Sequence, residues 1–199
     1  MEAETRASAV RGTATASPEQ AAELIRSRRT INRFRPEPPP QAAIRHAVEL
    51  ARWAPNHHLT QPWHFYLIGP QTRQGIIDLN TELLVASKGE AAAEAKRRNW
   101  EAKPGWLAVT CDHSSDELQA WEDYAACACA IHNLALYLWS EGIGVKWSTG
   151  PVIREPRFYD LLWIDPDIET VIGLLWYGYP DESPESHRHG VDCSLVELP

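Results

Sequence analysis

No apolar run in this 199-residue chain approaches the roughly 20 residues that a membrane-spanning helix needs. Positive charge is also scarce. With 19 Lys and Arg against 27 Asp and Glu, the formal net charge is -8 at pH 7, which argues against non-specific binding to nucleic acid or to an anionic membrane surface. The four cysteines, Cys111, Cys127, Cys129 and Cys193, form no CxxC pair. Cys127 and Cys129 are two apart in a helical run and so point in different directions; the four read as reduced core or surface thiols of a cytoplasmic protein. There is no internal repeat, no pair of carboxylates at a telling spacing, and no Ser/His/Asp or Cys/His constellation. A GxG does occur in GIGVKWSTG, Gly142 to Gly150, but it is too short for the dinucleotide fingerprint and follows a helix rather than a strand. A chain without a side-chain nucleophile points to a cofactor that carries the chemistry itself.

What is present fits a globular domain. An apolar fraction of 44% and a charged fraction of 23% are ordinary for one, and the length suits a single domain with a sizeable core. Residues 1–16, MEAETRASAVRGTATA, lack the apolar stretch of a signal peptide and are expected to be a disordered tail. Order should begin at Ser17, where SPEQ supplies an N-cap, a proline at the first helical position and Gln20 at the third, the pattern of a capping box.

Periodicity then predicts a short helix ending in the basic run at Arg26 to Thr30, and a proline-rich connector over Pro36 to Pro40. Next come an amphipathic helix over Gln41 to Arg52, a strand at His64 to Gly69, and mostly helix from Gln71 to about Lys103. Within that stretch GEAAAEAKRR is polar on nearly every side and is expected to be exposed, as an excursion or a lid. A strand at Trp106 to Cys111 precedes the longest and most apolar helix, Glu117 to about Glu141. Further strands are expected from Val145 and within Glu169 to Pro180, the latter apolar enough to be buried on both faces, with a short helix at Pro156 to Trp163 between them. The fold class is α+β: a small mixed sheet covered by helices around a long central helix.

Three segments carry groups suited to chemistry. Arg28, Arg29 and Thr30, at a helix end, suit a phosphate through charge-assisted bonds, or else form a solvated basic terminus favoured by the helix dipole. WAPNHHLTQPWHF, Trp53 to Phe65, packs Asn56, His57, His58, Thr60 and Gln61 between planar rings, which suits the edge of a flat heteroaromatic ligand. The adjacent histidines invite a metal, but no carboxylate or cysteine stands at ligand spacing and neighbouring rings should diverge, so no metal site is expected. WSTG, Trp147 to Gly150, follows a short strand and can present backbone N–H groups to a ligand. His187, Arg188 and His189 fall in a C-terminal arm, expected to be mobile.

Together RRTINRF (Arg28 to Phe34), APNHHLTQPWHFYLIG (Ala54 to Gly69), the long helix with its Gly-x-Gly turn into KWSTG, and IGLLWYGYP resemble the nitroreductase family of flavin enzymes, in its small single-domain branch. The resemblance spans Ser17 to about Pro180, leaving 181–199 as the arm. It implies a homodimeric FMN-dependent oxidoreductase that passes hydride from NAD(P)H through FMN to a nitroaromatic, quinone or similar acceptor, with two FMN sites at the subunit interface. A dehalogenase or dehydrogenase reaction, or a flavin-binding sensor with negligible turnover, would use the same fold. Carried over by position, Arg28, Arg29 and Thr30 would bind the FMN phosphate, ribityl chain and pyrimidine edge. Asn56 and His57 would come from the other subunit, with Gln61 and Pro62 fixing their loop. Trp147, Ser148, Thr149 and Gly150 would lie along the isoalloxazine, and no side chain is assigned a catalytic role. Three positions depart from the family pattern: Thr30 replaces a serine, Leu59 an asparagine, and Asn32 a residue that is often basic.

Overall fold

A computed structural model describes residues 16–199; the tail expected at 1–16 lies, but for its last residue, outside the described residues. Order starts as the sequence dictates. The Ser17 hydroxyl accepts from the Gln20 N–H at 3.2 Å, and the Gln20 side chain accepts from the Ser17 N–H at 3.0 Å. These reciprocal bonds open α1 (Pro18–Ser27). The chain continues through α2 (Gln41–Ala51), β1 (Trp63–Leu67), α3 (Pro70–Lys88), α4 (Glu90–Glu101), β2 (Gly105–Asp112), α5 (Glu117–Ser140), β3 (Gly144–Ser148), α6 (Pro156–Leu162) and β4 (Glu169–Gly178).

The four strands form one sheet in the order β1-β2-β4-β3, and every neighbouring pair is antiparallel. The sheet is thus less mixed than expected: its parallel component is a single bridge between Thr30 and Val145. β4 lies centrally, and from Val171 to Gly178 every residue is buried, the double-faced burial its apolar sequence requires. Alternation divides the core in two. Leu107, Val109, Leu175 and Tyr177 pack against α2 and α5 through Ala47, Ala51, Ala130 and Leu134. Trp106, Ala108, Leu174 and Trp176 face the other way, against Ile76 and Ile77 of α3, Trp100 of α4 and Phe158 of α6. Each large aliphatic side chain among them, such as Leu107 or Ile76, contributes roughly 1.5–3 kcal/mol when buried.

Helix α4 is exposed along most of GEAAAEAKRR, as its polar sequence predicts. Gly89, at φ +84, turns the chain between α3 and α4, and α4 then docks by a narrow stripe in which Ala93 and Trp100 are buried. The Trp100 ring meets Trp106 and Trp176 edge-on, with centroids 5.5 and 5.2 Å away, a geometry worth about 0.5–1.5 kcal/mol per pair beyond burial. The polar remainder of the helix is tied by i,i+4 pairs, Arg98 with Glu94 and Arg97 with Glu101.

The segment after β4 also packs back on the domain. Phe34 bridges Pro180, the Asp181 N–H donates to the Arg33 carbonyl, and Arg29 Nε donates to the Pro184 carbonyl at 3.1 Å. The first residues of the C-terminal arm are therefore anchored beside the basic motif. Among the described residues no helix is long and apolar enough to cross a membrane.

Candidate functional site

The basic motif is placed by a change of backbone at the end of α1. Arg28 takes φ -58 and ψ 132, so the chain leaves the helix extended and runs along the outer edge of β3. There the Ile31 N–H donates to the Val145 carbonyl at 3.2 Å, and the Ile31 side chain is fully buried. Arg29 is largely committed to structure: its guanidinium donates to the carbonyls of Arg26, Arg28 and Pro184. Arg28 is half-buried and in a different condition. Burial, then the guanidiniums of Arg29 and Arg188, make its charged form less favourable than usual. The C-terminal arm thus brings a third arginine to this corner, where an anion would relieve the repulsion.

The loop Asn56 to Pro62 is strained and heavily bonded. His58, Leu59 and Gln61 have φ of 59, 53 and 51, the left-handed region that costs a non-glycine residue roughly 1–2 kcal/mol. Such strain persists only where the surroundings impose it, and here they do. Asn56 Oδ1 accepts from the Gln61 N–H at 2.6 Å, and Asn56 Nδ2 donates to Thr60 Oγ1 at 2.9 Å. Thr60 in turn donates to Oδ1 of Asp123, a buried carboxylate on α5. The Asn56 amide is therefore a brace within the loop. His57 Nδ1 lies 2.9 Å from Glu122 Oε2, with the His58 ring stacked on it at 3.9 Å and 18°.

Two premises of the sequence reading are corrected at this point. A carboxylate does accompany the histidines, supplied by Glu122 from 65 positions away, and the two rings lie parallel instead of diverging. The ligand atoms of His57, His58 and Glu122 all lie within 4.8 Å of one another, close enough for the three to hold a metal ion. The group is a histidine–carboxylate pair capped by a second ring.

Trp147 is fixed by its partner strand. The register between β2 and β4 slips between Val109 and Thr110, leaving Ile172 without an opposite residue, and Trp147 Nε1 donates to the Ile172 carbonyl at 3.0 Å. Its indole lies over Gly173, where an added Cβ would come within 2.2 Å of that nitrogen. Ser148, Thr149 and Gly150 lead into a short 3-10 turn, Pro151–Arg154.

The fold brings some of the predicted residues together and separates others. Arg28, Thr30, Val145 and Trp147 share a cavity of about 160 Å3 with Ile131, His132 and Ala135 of α5. Asn56 and Gln61 line another of about 350 Å3, with Leu59, Trp53 and Trp63. His57, Ser148, Thr149 and Gly150 line neither. A wider hollow of about 950 Å3, between β1, α3 and α6, contains none of the predicted residues. Asp123 and Glu122 escaped the sequence reading because nothing local distinguishes them from other acids on an amphipathic helix.

Comparison with known proteins places this geometry. YfhC of Bacillus subtilis (strain 168), provisionally named an NAD(P)H nitroreductase, is 33% identical over 168 residues, covering 82% of this chain and 86% of its own. A nitroreductase-like family protein from Bacillus cereus superposes with a TM-score of 0.79 at 26% identity, over 93% of this chain and 99% of that one. The FMN-dependent nitroreductase NfnB from Mycobacterium smegmatis, solved in complex with NADPH, shares the fold at a TM-score of 0.73 and 15% identity, over 90% of this chain and 98% of its own. The profile of the Nitroreductase family matches residues 25–179, and the chain belongs to that family.

Proposed function

We propose that this protein is a homodimeric FMN-dependent oxidoreductase using NAD(P)H, with the flavin held between Arg28, Thr30 and Trp147 of one subunit and the Asn56–Gln61 loop of the other. The observation that carries the reading is the convergence of Arg28 and Thr30 with Trp147, from motifs more than a hundred positions apart, on one cavity. The donors fit the cofactor. The Arg28 guanidinium shares the cavity with the Thr30 hydroxyl and feels the charge of Arg188, which suits a phosphoester, while Val145, Ile131 and the indole of Trp147 supply an apolar wall for a ring. When bound, FMN supplies two-electron transfer from the reduced nicotinamide to a nitroaromatic, quinone or similar acceptor.

The dimer belongs to the same reading. A cavity of about 160 Å3 falls below the ~300–1,000 Å3 of most small-molecule sites, so one chain offers only part of a flavin site. Large apolar side chains stand in solvent on the faces that would meet a partner: Leu118, Trp121 and Tyr124 on α5, and Trp53 and Leu59 beside the loop. Exposed side chains of this size support an association surface there. Strain and hydrogen bonding in the loop would hold it rigid for presentation across that surface. A cytoplasmic location goes with this reading, and the four free cysteines agree with it.

The test is the visible spectrum of the purified protein after reconstitution with FMN, followed by anaerobic NADH and then NADPH. A flavin spectrum that bleaches is the expected result. Retained flavin without bleaching would make the protein a flavin-binding protein without this turnover, and failure to take up FMN would overturn the reading.

A further inference from the structure

A second concentration of cations lies away from the arginines. Lys96 of α4, Lys103 just beyond it and Lys146 of β3 line one cavity of about 430 Å3 with Asn32 and Asn99. No carboxylate lines it, in a chain of net charge -8. Aromatic faces stand where acids would be expected. Lys96 Nζ lies 5.9 Å from the Trp100 centroid and Lys146 Nζ 5.5 Å from that of Trp176. Lys103 Nζ lies 5.5 Å from Phe34 and 5.9 Å from Trp176. Contacts of this kind hold an ammonium in place without neutralising it.

The polar bonds leave capacity over. Lys103 donates to the Asn32 carbonyl, and Lys146 donates to Asn32 Oδ1 at 2.7 Å. An ammonium has three N–H donors, so neither is saturated. Glu182 influences both lysines, but its oxygens are engaged by the N–H groups of Asn32 and Arg33 and by the Arg33 guanidinium at 3.4 Å. Lys103 is only 4% exposed. Its burial, followed by the Lys146 and Lys96 charges, lowers its pKa to about 8. The cluster repels itself, and the fold fixes that repulsion around a hollow of ligand size.

We propose that this cavity is an anion-binding site for a compact carboxylate, phosphate or similarly delocalised anionic group. One source of the anion is a group borne by the electron donor or acceptor. The other is the ring edge of a reduced flavin, a source that rests on the function proposed above. Both would be recognised by the same ammonium groups around Asn32.

The first measurement needs no flavin, so its failure is separate from failure of the flavin reading. Inorganic pyrophosphate is titrated calorimetrically, at low ionic strength, into the full flavin-free chain and into the Arg28→Gln, Lys96→Gln and Lys146→Gln variants. Saturable binding that survives Arg28→Gln and weakens tenfold or more in each lysine variant is expected. Absence of saturable binding, or binding lost with Arg28 and indifferent to the lysines, would overturn the site. Repeating the titration on the FMN-loaded chain separates the sources. Undiminished affinity assigns the site to a substrate anion. Affinity abolished by FMN, with a lower flavin midpoint potential in Lys146→Gln, assigns it to the flavin.

Discussion

Thr60 Oγ1 donates to Asp123 Oδ1 across 2.5 Å, joining a strained loop to a carboxylate buried in the longest helix. Gln119 Nε2 reaches the other carboxylate oxygen at 3.5 Å. Replacing Asp123 by Ala leaves the part-buried Thr60 hydroxyl and Gln119 amide without their acceptor, and a hydrogen bond of this kind contributes about 0.5–1.5 kcal/mol net. Urea denaturation at fixed protein concentration should register that loss, with faster proteolysis between Asn56 and Gln61. Asp123→Asn keeps an acceptor oxygen and should recover part of it. Equal stability of Asp123→Ala and the natural chain would show that the loop is held by other means.

Arg28→Ala should weaken FMN binding by about 1.5–3 kcal/mol if the guanidinium meets the phosphate, which is roughly ten- to a hundredfold or more in Kd. Flavin content after gel filtration is a direct readout. Undiminished retention would move the phosphate elsewhere.

Gly173→Ala places a methyl group against the Trp147 indole, and overpacking of this sort costs about 1–3 kcal/mol. If the clash is the cause, adding Trp147→Ala should make the glycine substitution nearly neutral, a coupling that a double-mutant cycle measures. Additive losses would place the defect in β4 itself.

The Lys103 amine has a sign that can be worked out. Its folded pKa is about 8 against an ordinary 10.5, so between those values the unfolded chain holds more protons than the native one. Stability contributed by this residue therefore rises as pH climbs from 8 to 10.5 and is flat below. Comparing the natural chain with Lys103→Met at pH 7 and pH 9.5 isolates the effect. The difference should move in favour of the natural chain at the higher pH, and a constant difference would place the titration elsewhere.

Trp121 is 74% exposed on α5. If it is buried in a dimer, Trp121→Glu should cost about 2 kcal/mol or more of association, seen as monomer in sedimentation at micromolar concentration. Loss of bound flavin should accompany it. A natural chain that sediments as an FMN-loaded monomer would refute the shared site.

Much of the architecture was legible because local chemistry announces it. SPEQ carries its own cap, Gly142 ends the central helix, and the unbroken apolar run of β4 requires cover on both faces. The sheet's direction was harder to read, because strand pairing depends on connections and not on the strands themselves. The exposure of α4 was legible from its polarity, but its docking was not: two buried residues, Ala93 and Trp100, are enough to anchor a helix whose mean character is polar. Within the candidate site Trp147 entered through the family resemblance, and the motif arginines stood out by type and spacing. Asp123, Glu122 and the three lysines did not, since positions 32, 96, 103 and 146 become one environment only when α4 and β3 fold against the same face.

The strand of backbone that presents Arg28 and Thr30 also covers the outer edge of β3 through Ile31. An uncovered sheet edge is a template for pairing with another chain, so the motif proposed to bind the ligand would double as a guard against aggregation. Selection for solubility and selection for the ligand would therefore act on the same few residues. A descendant that no longer needed the ligand would lose Arg28 freely but would still be obliged to keep Ile31.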